Sequence, residues 1–344
     1  MLKLFLTGGT GYIGGDVLYT IIKAHPEYEI SCLVRSTESA ELLGKLYPSI
    51  RLVHGSLDNS ELLAEESKNA DIVCHLANCE HLASVQAIAQ GVRQNSISKK
   101  MTAVIHLSGS DLLCFDDLEQ NKFGVKSDTV YNDWEGIQDI ISIDESAPHK
   151  DVDMTILNLG KDVSTFAKTA IVCPPTIHGR GRGPGNQRSI QVPELTSHIL
   201  KRGTGFHVED GQNQWAVVHI HDLSQLFLKL VEDAANGYWK ASWGVEGFYF
   251  AENGLISWGD VSGWIIKEAY DQGYLQNTED ESVPWTDADQ IWPYASIFWG
   301  TNSVCKAIRA REILAWVPRS PALSAEIKSL VREEAKALGL GRTS

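Results

Sequence analysis

Six short apolar runs separated by helix-patterned stretches fill the first half of the chain, and this alternation restricts the fold more than any other feature. The runs are LKLFLT (2–7), EISCLV (29–34), IRLVHG (50–55), DIVCHLA (71–77), AVIHLSG (103–109) and TAIVCPP (169–175). Each reads as a buried strand, and segments such as GYIGGDVLYTIIKAH between them carry helical periodicity. Parallel neighbours need a crossover, which is usually a helix, so the pattern predicts an α/β protein with a doubly wound parallel sheet covered on both faces. The rhythm changes at about residue 179. A Gly-rich loop, GRGRGPGNQ, is followed by helices expected near 191–201, 221–234, 257–272 and 322–338, and nine of the ten Trp residues lie beyond residue 210.

The first strand runs directly into TGGTGYIGG at residues 7–15. A glycine-rich turn between a strand and a helix lets a diphosphate approach the backbone and meet free N–H groups at the positive helix terminus. Thr7, Gly8, Gly11, Tyr12, Ile13 and Gly14 are therefore candidate cofactor residues, and the sheet is expected to be of the Rossmann type. We expect residues 1–178 to form the dinucleotide-binding domain, with strands added from 205–250, and residues 179–344 to form a smaller, mostly helical substrate-binding portion. The second strand ends at Arg35, where a protein that prefers NAD(H) usually carries an acidic residue. A guanidinium there suits a 2′-phosphate, so NADP(H) is favoured over NAD(H). Leu57 and Asp58 follow the third strand, where they would cover the adenine. Leu76 and Ala77 follow the fourth, beside the diphosphate.

The formal charge of −14 argues against nucleic acid or an anionic membrane surface as partner. None of the six cysteines has metal-ligand or disulfide spacing, and no convincing metal constellation is visible. They read as buried thiols of a reducing compartment, with the cytosol as default. The N-terminal apolar run is too short for a secretory signal, and GRTS at the end matches no address.

Four stretches, TGGTGYIG, HLSGS, CPPTIHGRGRGP and WAVVHIHDLSQLFLKLVE, together resemble the extended short-chain dehydrogenase/reductase superfamily. That group includes nucleotide-sugar epimerases, dehydratases and NADP-dependent carbonyl reductases, and the likeness is strongest to a fungal epimerase/dehydratase-like branch. The resemblance implies that Ser108 orients a substrate carbonyl and that Pro175, Thr176 and Ile177 line the nicotinamide. It also implies that His219 and Asp222 help to close the pocket, and that the protein can form a homodimer.

Superfamily members use Tyr-x-x-x-Lys on the helix before strand six, where Lys lowers the Tyr pKa and holds the nicotinamide ribose. Counting back from Pro174 puts the Tyr position at or within about a residue of His149, and the Lys position then at Asp153. Three readings stay open. His149 acts as proton donor with Asp153 or the ribose hydroxyls orienting it; or Tyr131, from the long segment 110–147, supplies the acid; or neither position has a chemical role. Loss of the Lys leaves a nearby Tyr with a higher pKa and makes it a poorer base, which favours reduction of a small carbonyl substrate, or a redox-neutral isomerisation, over alcohol oxidation. A catalytically silent dinucleotide sensor is the alternative outside enzymology. Trp285, Trp292, Tyr294 and Trp299 offer either an aromatic pocket wall or a helical core. Arg180 and Arg182 offer either a diphosphate contact or a solvated loop. The EDES run (279–282) reads as a solvated loop.

Overall fold

All six runs are strands in the computed structural model, which describes residues 1–95, 100–162, 166–238 and 240–341. Trp239 and the last three residues of the GRTS tail lie outside that set. The strands are β1 (Lys3–Thr7), β2 (Glu29–Val34), β3 (Arg51–His54), β4 (Ile72–His75), β5 (Thr102–Leu107) and β6 (Ala167–Cys173). Three further strands matter for the site: β7 (Thr176–His178), β8 (Gln214–His219) and β9 (Phe248–Phe250). The main sheet has seven strands in the order β9-β6-β5-β4-β1-β2-β3, all parallel. The order reverses beside β1, at the crevice where ligands bind in open α/β sheets.

Four helices connect the first five strands: α1 (Tyr12–Ala24), α2 (Thr37–Leu46), α3 (Ser60–Asn69) and α4 (Leu82–Gln94). Helix α5 (Lys150–Lys161) leads into β6. Right-handed crossovers place α3, α4 and α5 side by side on one face of the sheet. Helix α1 packs on the other face with α7 (Ile220–Ala235), which arrives from the second half of the chain. Helices α6 (Gln191–Arg202), α8 (Trp258–Asp271) and α9 (Leu323–Ala337) pack together beyond the carboxyl edge.

Two apolar cores result, and β8 is a wall between them. Ala216 and Val218 face the main core, whereas Trp215 and Val217 face the second, because side chains alternate along a strand. Trp299 is buried in the second core and stacks on Trp292 with ring centroids 5.1 Å apart, while Tyr294 lies exposed. Trp285 stacks on Phe123. Of the two readings of this aromatic group, the structure selects core packing. The EDES segment departs from its expected loop: Asp280–Val283 is a strand parallel to Gly205–Val208, fastened by Asp280 to His207 and Glu281 to Arg202. Its charges kept the apolar alternation of a strand from showing.

The turn after β1 sets the crevice. Gly8 has φ +84°, and a Cβ there would lie 2.6 Å from the Leu76 carbonyl oxygen. A Cβ on Gly14 would lie 2.3 Å from the Gly8 carbonyl oxygen, so α1 meets the turn at backbone distance. Gly14→Ala should therefore cost about 1–3 kcal/mol of stability and weaken dinucleotide binding. Urea denaturation with a cofactor titration checks this; wild-type stability would mean that the helix can shift without cost.

Candidate active site

Helix α1 begins with Gly11 as its N-cap, with no side-chain cap and no acidic residue in its first turn. Its terminal N–H groups and positive dipole end are left for an anion. Thr7 Oγ1 accepts from the Leu76 N–H at 3.1 Å and ties the ends of β1 and β4 together, with Leu76 buried and Ala77 exposed. Ile13 is half-buried against the main core. The glycine turn, the bare helix terminus and the exposed strand ends fit a dinucleotide diphosphate. Arg35 is exposed immediately beyond β2. Leu57 is half-buried, and the exposed Asp58 pairs with His81 at 3.1 Å.

The Gly-rich loop after β7 is bound to this turn. Tyr12 Oη–H donates to the Gly179 carbonyl at 2.6 Å, and the Asn186 N–H donates to the Thr10 carbonyl at 3.0 Å. Arg182 forks onto the fully buried Asp16 at 2.6 and 3.0 Å, and Arg180 donates to Gln187. The two arginines considered for a substrate diphosphate are thus engaged within the protein. His219 caps α7, and Asp222 accepts the N–H groups of Arg319 and Ser320, which fixes the segment leading to α9.

At the carboxyl end of β5, Ser108 Oγ–H donates to Asp153 Oδ2 at 2.7 Å, and both residues are buried. The other oxygen, Oδ1, has no hydrogen-bond partner among the described residues and lies 3.6 Å from His106 Nε2. His106 shares a strand face with Ser108 two residues on, and its ring is 5.2 Å from that of His75 on β4. Burial, reinforced by His75 and His149, holds His106 well below the usual imidazole range, so the ring is neutral. Thr176 Oγ1 beyond β6 is also buried without a hydrogen-bond partner among the described residues, next to buried Pro175 and half-buried Ile177. These unsatisfied atoms at the sheet edge suit a nicotinamide riboside, whose hydroxyl and carboxamide groups would meet them.

His149 does not touch Asp153 through its side chain, contrary to the helix spacing. It is the N-cap of α5 with φ +65°, so its ring leaves the helix face. Nε2 binds Asp111 Oδ1 at 2.5 Å, and Nδ1 lies against Glu80. Burial opposes a charge on this ring, but hydrogen bonds to Asp111 and Cys79 outweigh it and push the pKa up to about 11. Lys150 turns away, its Nζ donating to the carbonyls of Ile140 and Ile141. Tyr131 lies elsewhere, pairing with Cys305 in a two-residue strand and lining a cavity of about 20 Å³ with Asp116, Asp117 and Asn302. Burial, then Asp116, raises its pKa. Of the four catalytic candidates, Ser108 and Asp153 meet directly, His149 stands at the head of the same helix, and Tyr131 is not joined to them. His106 was open to discovery from its alternation with Ser108. Glu80, Cys79 and Asp111 carry no local signal, because only the fold brings them to His149.

Residues 4–116 match the NAD dependent epimerase/dehydratase family. A curated relative, oxidase ucsJ of Acremonium sp, is 38% identical over 98% of this chain and 99% of its own. The fold is similar to that of a UDP-glucuronic acid 4-epimerase from Bacillus cereus, with TM-score 0.65 and 14% identity over 98% of this chain and 100% of that one. It is also similar to the dTDP-glucose 4,6-dehydratase DesIV from Streptomyces venezuelae, with TM-score 0.64 and 17% identity over 98% of each chain.

Burial raises the Asp153 carboxyl from 3.8 to about 7, against the opposing effects of Ser108, His149 and Lys150. A raised folded-state pKa means that the native protein holds the proton more tightly than the unfolded chain. That stability is full below the unfolded value of 3.8 and is lost as pH rises through about 7. Asp153→Asn removes the titration, so the variant should gain stability relative to wild type between about pH 5 and about pH 8. Urea denaturation at both pH values measures this; an equal difference at both would mean that Asp153 titrates as an ordinary carboxyl.

Proposed function

The chain belongs to the NAD-dependent epimerase/dehydratase family of extended short-chain dehydrogenases/reductases, and from that premise we propose that it is an NADP(H)-dependent oxidoreductase reducing a carbonyl of a small organic substrate. The observation that carries the reading is the buried Ser108–Asp153 hydrogen bond at the carboxyl edge of the sheet, the same edge that carries the glycine turn. A bound NADP(H) would supply the hydride at this edge. In this reading the protonated Asp153 carboxyl donates to Ser108 Oγ, and Ser108 Oγ–H donates its own proton to the substrate oxygen as the carbonyl carbon is reduced. In the reverse direction Ser108 takes the hydroxyl proton and passes its own to Asp153. A carboxyl with a pKa near neutrality serves either direction.

His149, held protonated by Asp111, keeps a positive charge at the head of α5, where family relatives carry the cationic Lys. Arg35 at the end of β2 supports NADP(H) through its fit to a 2′-phosphate. The name of the Acremonium relative, an oxidase, favours net redox chemistry. The engagement of Arg182 with Asp16 and of Arg180 with Gln187 weighs against a nucleotide-sugar epimerase, whose substrate brings a diphosphate to be bound. Five buried thiols suit a reducing cytosol.

The reading is tested by fluorescence titration with NADPH and NADH, followed by screening of aldehydes, ketones and nucleotide sugars for oxidation of the bound cofactor. With a carbonyl substrate in hand, Ser108→Ala and Asp153→Asn should each lower kcat about 10²–10⁴-fold while leaving NADPH affinity unchanged. Tyr131→Phe should leave kcat intact. Turnover of nucleotide sugars without net cofactor oxidation would overturn the reductase assignment. Arg35→Asp should weaken NADPH and narrow its advantage over NADH; an unchanged preference removes the case for NADP(H).

A further inference from the structure

The head of α5 holds donor atoms in an arrangement that proton transfer does not use. Cys79, Glu80 and His149 each present a ligand-type atom within 4.8 Å of the other two. His149 is 6% exposed, and its Nδ1 faces the Glu80 carboxylate, with Cys79 in the same cluster. On the far side of the ring, Asp111 Oδ1 accepts the Nε2 proton at 2.5 Å. A carboxylate on the remote nitrogen keeps a proton there, so loss of the Nδ1 proton alone gives a neutral ring with its lone pair on the near nitrogen, which is how metal-binding histidines are usually oriented.

We propose that Cys79 Sγ, His149 Nδ1 and a Glu80 carboxylate oxygen form a binding site for a divalent cation of the zinc class, with Asp111 as its positioning residue. A thiolate, an imidazole and a carboxylate suit zinc in a tetrahedral shell, and three protein donors leave its fourth position open. The Glu80 side chain is 52% exposed, so the site is open to solvent on that side. Binding displaces a proton from the thiol and from Nδ1, and a positive charge stays at the head of α5. The proposal does not depend on the reaction assigned above.

A second cluster has the same spacing but the wrong tautomer. His178, His219 and Glu326 lie together, and His178 and Glu326 line a cavity of about 650 Å³. His219 Nδ1 accepts the His221 N–H at 3.1 Å, so the neutral ring carries its proton on Nε2, which faces Glu326 Oε1 at 3.2 Å. No lone pair is left on Nε2 for a metal. Glu326 also accepts from His178, and burial notwithstanding, the two imidazoles hold its carboxyl down at about 2.

The test is titration of the chelator-stripped full chain with Co²⁺, read by absorption. One equivalent should bind with a thiolate-to-cobalt charge-transfer band in the near ultraviolet and intense tetrahedral bands in the visible. Cys79→Ser should abolish the charge-transfer band, and Asp111→Asn should weaken affinity about 10–100-fold with the band retained. His219→Gln should change neither. Absence of cobalt binding overturns the proposal, as does a band that survives Cys79→Ser or one that disappears in His219→Gln. Circular dichroism of each variant separates loss of the site from loss of the fold.

Discussion

The buried carboxylate of Asp16 is the joint on which the rest of the site depends. It sits in α1 one turn beyond the glycine turn and takes the Arg182 guanidinium, the Arg182 backbone N–H and the Ser224 hydroxyl of α7. A carboxylate with no exposed surface is tolerable only when its charge and lone pairs are met, and removing one partner of such a pair costs about 3–5 kcal/mol. One side chain thereby fixes the cofactor helix, the loop after β7 and a helix from the second half of the chain relative to each other. The glycines at 183 and 185 let this happen: a Cβ on Gly185 would stand 2.1 Å from the Thr10 carbonyl oxygen, and one on Gly183 would stand 2.6 Å from Gly15. The loop is Gly-rich because it lies on backbone, and its arginine is an anchor.

With the crevice fixed in this way, buried polar groups collect at the ends of β4, β5 and α5. Sheet register sets His75 opposite His106, and the strand period then puts Ser108 on the same face, under Asp153. The family's lysine slot holds a short carboxylate that reaches the strand-five serine. The tyrosine slot holds an imidazole that the left-handed N-cap conformation swings away from the helix to Asp111 and Glu80. In the function proposed above, two roles that one Tyr-Lys pair combines, a proton path and a fixed positive charge, are divided between Ser108–Asp153 and His149. The charge is stabilised by carboxylates on both sides of the ring, against the cost of burial.

Much of this was legible in the chain. Strand positions followed from apolar runs bounded by turn residues, and the cofactor turn followed from glycines in strand–turn–helix context, because both are set by contacts within about ten residues of sequence. Ser108 was singled out by the family resemblance and Asp153 by counting back from Pro174, and the fold brings the two into contact. The expected His149–Asp153 contact failed because spacing assumes helical backbone at both residues, and His149 is at φ +65°. The strand at Asp280–Val283 was hidden for a related reason: charges whose partners are on other segments disguise a strand as a loop.

The sequence by itself determined the doubly wound sheet, the glycine turn and the serine at the end of strand five, since each is written in local pattern and backbone sterics. Only the tertiary structure decided what these residues face. Arg182 turned to Asp16, Tyr131 to a separate small cavity, and Cys79, Glu80 and Asp111 to His149. Partners brought from distant parts of the chain are chosen by which ends of the sheet and helices are packed together. In a buried site each polar group binds what the fold brings within reach, since leaving it unpaired costs more than any local preference can return.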